Sequence, residues 1–216
     1  MRLSLVDDLL RARRPDQLVA AQRGVDLALL LCCAGFVYGA ALGGSELRPL
    51  QMLYSGVKVP ILLVGSALVC LPNFYVVNTV LGLREDLPTV LRGLVGMQVM
   101  ITIALASFAP CTVFFYTSVH DYTAATMWNG VMFFAASIVG HVYLGRVYQP
   151  LIAHNPRHRI AKRAWLTLYV FVAIQLAWML RPFIGAPGMP TTFFRAGVWD
   201  NAYMIVLGVI GKFLGL

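Results

Sequence analysis

The sequence predicts an all-α, polytopic transmembrane helix bundle, and three observations lead to it. Apolar runs cover residues 27–43, 59–80, 94–115, 124–144 and 164–180. Each, with its margins, is close to the ~20 residues a helix needs to cross about 30 Å of hydrocarbon. Lipid gives an unpaired backbone no hydrogen-bond partner, so such runs are helical. A 59% hydrophobic and 12% charged composition, with positive mean hydropathy, leaves no room for a sizeable soluble domain. Finally, the basic residues alternate between links. Arg2, Arg11, Arg13, Arg14 and Arg23 precede the first run, and Arg146, Arg157, Arg159, Lys162 and Arg163 lie between the fourth and fifth. Only Arg48 falls in the first link, and residues 116–121 hold no Lys or Arg. This is the positive-inside pattern, and it puts the N-terminus and the links 84–92 and 146–163 in the cytoplasm.

Three segments follow from this layout: a cytoplasmic amphipathic and basic stretch over 1–24, a bundle over 25–182, and an extracytoplasmic turn-rich segment with an apolar helix over 183–216. Asp7, Asp8 and the arginine cluster, with no small-residue cleavage site after the first run, argue against a cleavable signal. Ser4-Leu5-Val6-Asp7 reads as a capping box opening a short helix. Leu3, Val6, Leu9 and Leu10 fall on one face and Asp7, Arg11 and Arg14 on the other, so the helix lies on the membrane surface. A solvated arm is the alternative.

In the first span Gly35, Gly39 and Gly43 form a smooth strip for close approach of another helix, preferably one of the same chain. The second contains Pro60 and Pro72, and Pro72 predicts a kink because proline lacks a backbone donor and clashes with the preceding turn. On a helical wheel Ser55, Lys58, Ser66 and Asn73 share a face, followed by Asn78 and Thr79. Such a stripe faces protein or water rather than lipid, with Asn73 turned inward. It is either a polar pathway or an interhelical seam from which Lys58 reaches the outer interface. The third span adds Gln98, Thr102 and Thr112, with Pro110 bending its outer end. The fourth places Thr126, Asn129, Gly130, Ser137, Gly140 and His141 on a common face, the glycines favouring close packing. The fifth carries Gln175 and Arg181, with Trp165 and Trp178 at opposite interfaces as aromatic belts predict. Beyond it lies a rigid proline- and glycine-rich stretch, then an apolar run over 202–216. That run is short for a crossing and reads as an interfacial helix, with a sixth span as the alternative.

The polar intramembrane face is therefore expected to comprise Lys58, Ser66, Asn73, Asn78, Gln98, Asn129, His141 and Gln175. Contacts to anionic lipid headgroups fall to Arg11, Arg13, Arg14, Arg157, Arg159, Lys162 and Arg163. Catalytic and metal residues are expected to be none. No carboxylate lies in mid-span, since Asp26 is at an entrance and Glu46, Glu85, Asp86, Asp121 and Asp200 are in links. His154 and His158 are separated by a helix-opposing Pro156 and read as part of the basic loop. Cys32, Cys33, Cys70 and Cys111 have no metal-ligand spacing and act as small hydrophobes. The sequence holds no nucleophile elbow, phosphate loop or zincin motif. It specifies no cofactor, and without aromatic–basic interleaving it gives no support for nucleic acid.

The five-span layout, together with SGVKVPILL and LPNFYVVNTVLGL in the second span, resembles the bacterial members of the Yip1-like membrane proteins over about residues 50–180. That resemblance implies a non-enzymatic role in membrane organisation or assembly and carries over no functional residues. The expected function is accordingly a non-catalytic protein of the bacterial inner membrane that organises a complex or the bilayer, with lipids, other membrane proteins or copies of itself as partners. A small channel or transporter is the alternative, and a lipid-modifying enzyme the third reading.

Overall fold

The structure is a computed structural model and describes residues 21–119, 121–185, 188 and 190–194. The expected N-terminal helix, Arg11, Arg13 and Arg14, and the apolar run over 202–216 lie outside those residues. The chain forms α1 (Ala21–Leu42), a single 3-10 turn (Gly43–Glu46), α2 (Pro49–Val80), α3 (Leu87–Ser118), α4 (Tyr122–His154) and α5 (His158–Met179). All five helices are long and apolar enough to cross a membrane, and no strand occurs among the described residues. Large apolar side chains stand exposed on every helix, among them Leu29, Leu68, Phe114, Phe134 and Phe171. Such a surface is stable only in hydrocarbon. The protein is an all-α integral membrane protein.

Several helices outrun their apolar cores, because their first turns are set by local chemistry. Pro49 opens α2 in the first helical turn, where a missing N–H costs nothing. Asp121 caps α4, its Oδ2 accepting from Ala124 N at 2.6 Å. The α2–α3 link is a Schellman closure: Leu83 N donates to Asn78 O at 2.8 Å and Gly82 N to Thr79 O at 3.1 Å. Gly82 takes φ +73°, the left-handed conformation this turn requires. The turn buries Leu83 and carries Asp86 round to α5. Helix α2 runs on without a break through Pro60 and Pro72.

The helices close a ring in the spatial order α1–α2–α5–α4–α3, with α1 against both α2 and α3 and only light contact between α4 and α5. Leu27, Met97, Leu105, Tyr148 and Trp165 fill the core. The glycine strip of α1 packs within the chain, onto α2. Gly35 lies on Pro60, a Cβ on Gly39 would strike the Ser55 carbonyl and sit 2.7 Å from Gly56 Cα, and one on Gly43 would sit 2.7 Å from Gln51 O.

Three expectations about helix faces need correction. Asn73 is exposed, not turned inward. The buried positions of α2 step in fours through Leu62, Ser66, Cys70, Phe74 and Asn78. Each such step overshoots a full turn by about 40°, so the buried stripe winds away from the straight wheel that aligned Asn73 with Ser66. Trp165 is fully buried rather than at an interface; its ring meets Phe74 edge-on at 4.9 Å and stacks on Tyr169 at 5.8 Å. Gly130 faces open space, with nothing within 4 Å of an added Cβ, and so serves no close packing.

Candidate functional site

Alternation of the antiparallel helices puts Leu42, Lys58, Tyr116 and Asn129 toward one end of the bundle and Asn78, Asp86, Tyr148 and His158 toward the other. At the first end, three side chains from the opening turns of α2 form a cradle for the segment that follows α5. Gln51, Ser55 and Lys58 recur at helical spacing and are all buried. Lys58 Nζ donates to Pro182 O at 2.7 Å. Gln51 Nε2 lies within donating distance of Phe183 O (3.1 Å) and Pro182 O (3.3 Å), and the Ser55 hydroxyl donates to Phe183 O. The rings of Phe183 and Phe193 lie 5.9 and 4.9 Å from Nζ, and Tyr54 meets Phe193 edge-on. A buried ammonium costs several kcal/mol in desolvation, which a carbonyl and two π faces partly offset. Lys58 thus neither lines an open pathway nor reaches outward. The packed interior also continues past residue 182, since Ile184 and Gly185 are buried.

Nearby, Asn129 ties three helices together. Tyr38 OH donates to its Oδ1 at 3.1 Å, while its Nδ2 donates to Tyr116 OH at 2.6 Å and to Ala125 O at 2.7 Å. Tyr116 OH in turn donates to Leu42 O at 3.1 Å. Midway along the bundle Tyr169 OH donates to Gln98 Oε1 at 3.1 Å, bridging α5 to α3. Ser66 bonds Leu62 O, Asn78 bonds Phe74 O and His141 Nδ1 donates to Ser137 O, each one turn back on its own helix. Gln175 is half-buried on α5. The contacts of these residues are separate and mostly local, and Asn73 is exposed, so the eight do not join into one continuous face.

At the other end His158, expected to be part of the basic loop, is the first residue of α5 and fully buried, its Nε2 2.9 Å from Asp86 Oδ2 and its ring against Tyr148. The α4–α5 turn brings it there: Asn155 Oδ1 accepts from Arg157 N, and Arg157 Nη1 donates to Leu81 O at 3.3 Å. Arg159 and Arg163 are exposed and Lys162 is half-buried on the first turns of α5.

The chain matches no family model, no curated protein and no solved structure. Its own geometry is what speaks for function. Among the described residues no group of three or more His, Cys, Asp or Glu could hold a metal ion. A hollow of about 520 Å³ between α3 and α4, lined by Pro110, Cys111, Phe114, Phe115, Ser118 and Trp128, opens outward and is almost wholly apolar. The sequence pointed to Lys58, Gln98 and Asn129 but missed their partners Tyr38, Tyr169 and Pro182. A tyrosine in an apolar run looks like any core aromatic, and a backbone carbonyl leaves no mark in a sequence.

Proposed function

We propose that this integral membrane protein is a non-catalytic organiser, assembling a membrane complex or shaping the bilayer around it. What carries the reading is the use of its intramembrane polar groups: Lys58, Asn129 and Gln98 Oε1 each bond another part of the same bundle. A pathway would leave such groups aimed at a common lumen. The kinship with Yip1-like proteins belongs to the same proposal and rests on the five-span layout. So does the orientation in a bacterial inner membrane, with the N-terminus and the Arg157–Arg163 corner cytoplasmic, which rests on the asymmetry of Lys and Arg. Partners are anionic lipids of the inner surface and other membrane proteins or further copies of the chain.

The channel reading draws on Gln98 Nε2, Asn78 Oδ1 and Tyr148 OH, buried polar atoms without a partner. Liposome reconstitution separates the two. The organiser shows no sustained ion or solute flux and is recovered from native membranes with a partner in fixed ratio. Flux that disappears on Lys58→Ala or Gln98→Ala would reject it.

A further inference from the structure

The corner between α4 and α5 carries more positive charge than any described residue balances. Arg159, Lys162 and Arg163 follow one another at helical spacing on the first two turns of α5, whose opening turn holds no acid. The positive end of a helix dipole disfavours cations there. Asp86, which reaches the start of α5, is engaged with His158. Within the described residues neither these three cations nor Arg146 has an ion-pair or hydrogen-bond partner. The first backbone N–H groups of α5 are already bonded to Asn155, Pro156 and Arg157 carbonyls, so any anion must be held by side chains.

The corner also has a seat. Gly145 of α4 leaves room above its backbone, and Lys162 Nζ lies 3.9 Å from the point a Cβ would occupy, reaching across the lightly packed α4–α5 seam to the residue that precedes Arg146. Exposed Val142 and Ile160 adjoin the charges, so a cationic surface runs directly into an apolar one. A phosphate joined to acyl chains matches both.

We propose that this corner binds an anionic phospholipid, with Lys162 and Arg146 gripping the phosphate diester, Arg159 and Arg163 at the rim, and an acyl chain along the seam below. The inference rests on the orientation proposed above, which places the corner at the inner surface, where anionic lipid attracts basic residues.

Full-length protein, stripped of lipid in detergent, is titrated with phosphatidylglycerol or phosphatidylcholine and read by native mass spectrometry. Both faces are accessible, so the result does not depend on orientation, which cysteine labelling tests separately. Phosphatidylglycerol should bind about tenfold more tightly than phosphatidylcholine, the equivalent of one good charged contact. Lys162→Ala with Arg146→Ala should abolish the difference, while Arg84→Ala with Arg92→Ala, which removes equal charge elsewhere at that end, should keep it. Gly145→Leu retains every charge but fills the seat, and should weaken phosphatidylglycerol as the first pair does. Equal losses from both double variants would mean diffuse attraction and overturn the site, as would full binding by Gly145→Leu. Inorganic phosphate competing as strongly as the lipid would overturn the assignment to phospholipid.

Discussion

Asn129 and Asn73 carry the same amide on neighbouring pages of the sequence, yet one makes three hydrogen bonds inside the bundle and the other is exposed. Their substitutions should therefore diverge. Asn129→Leu leaves the Tyr38 and Tyr116 hydroxyls buried with fewer partners and should destabilise by about 1–3 kcal/mol. Asn73→Leu should stay within about 0.5 kcal/mol of the parent. Reversible SDS unfolding in mixed micelles measures both. Lys58→Met removes one donor from the cradle but also the desolvation cost of the ammonium, so stability should stay within about 1 kcal/mol of the parent while the docked segment loosens. In a background lacking the native cysteines, a cysteine at Phe183 should then react faster with a soluble maleimide. The sequence made the polar residues legible by type, but not by partner. A wheel grouped Asn129 with Thr126 and Gly130, which are exposed, and Asn73 with Ser66, because it does not show how far a contact stripe has wound by a given turn.

At the scale of the element, glycine shows what patterning conveys. The spacing of Gly35, Gly39 and Gly43 announces a close helix approach, and α2 supplies it. Gly39→Ala drives a methyl into backbone that has no rotamer with which to retreat, and should cost about 1–3 kcal/mol. Gly130→Ala meets nothing and should be neutral or stabilising by up to about 1 kcal/mol, the helix propensity gained. Thermal melts of the two variants in one detergent give the contrast. The helices themselves were legible because five runs of the right length admit no other backbone in lipid. Their ends were less so, since Pro49, Asp121 and the Gly82 turn extend or close helices through chemistry that hydropathy does not register.

For the whole molecule, the sequence conveyed class and charge asymmetry but not which helices are neighbours. The ring order α1–α2–α5–α4–α3 depends on pairwise fit among surfaces of similar composition. The orientation proposed for it has a direct check. In a chain lacking Cys32, Cys33, Cys70 and Cys111, a cysteine at Ser118 should react with an impermeant reagent on intact cells, and one at Asn155 only after permeabilisation. The reverse pattern would invert the molecule and place the basic corner on the far side.

The carbonyls of Pro182 and Phe183 also give the molecule an order of manufacture. Membrane chains emerge from their N-terminus, so the α1–α2 hairpin exists before the residues that satisfy Lys58 have been made. Until they arrive, an ammonium in the first hairpin has no acceptor from α5's far side. Completion is thus written into the cradle: a nascent chain halted after α5 lacks the carbonyl to which Lys58 donates, whereas side-chain changes at residues 182 and 183 leave the docking carbonyls in place.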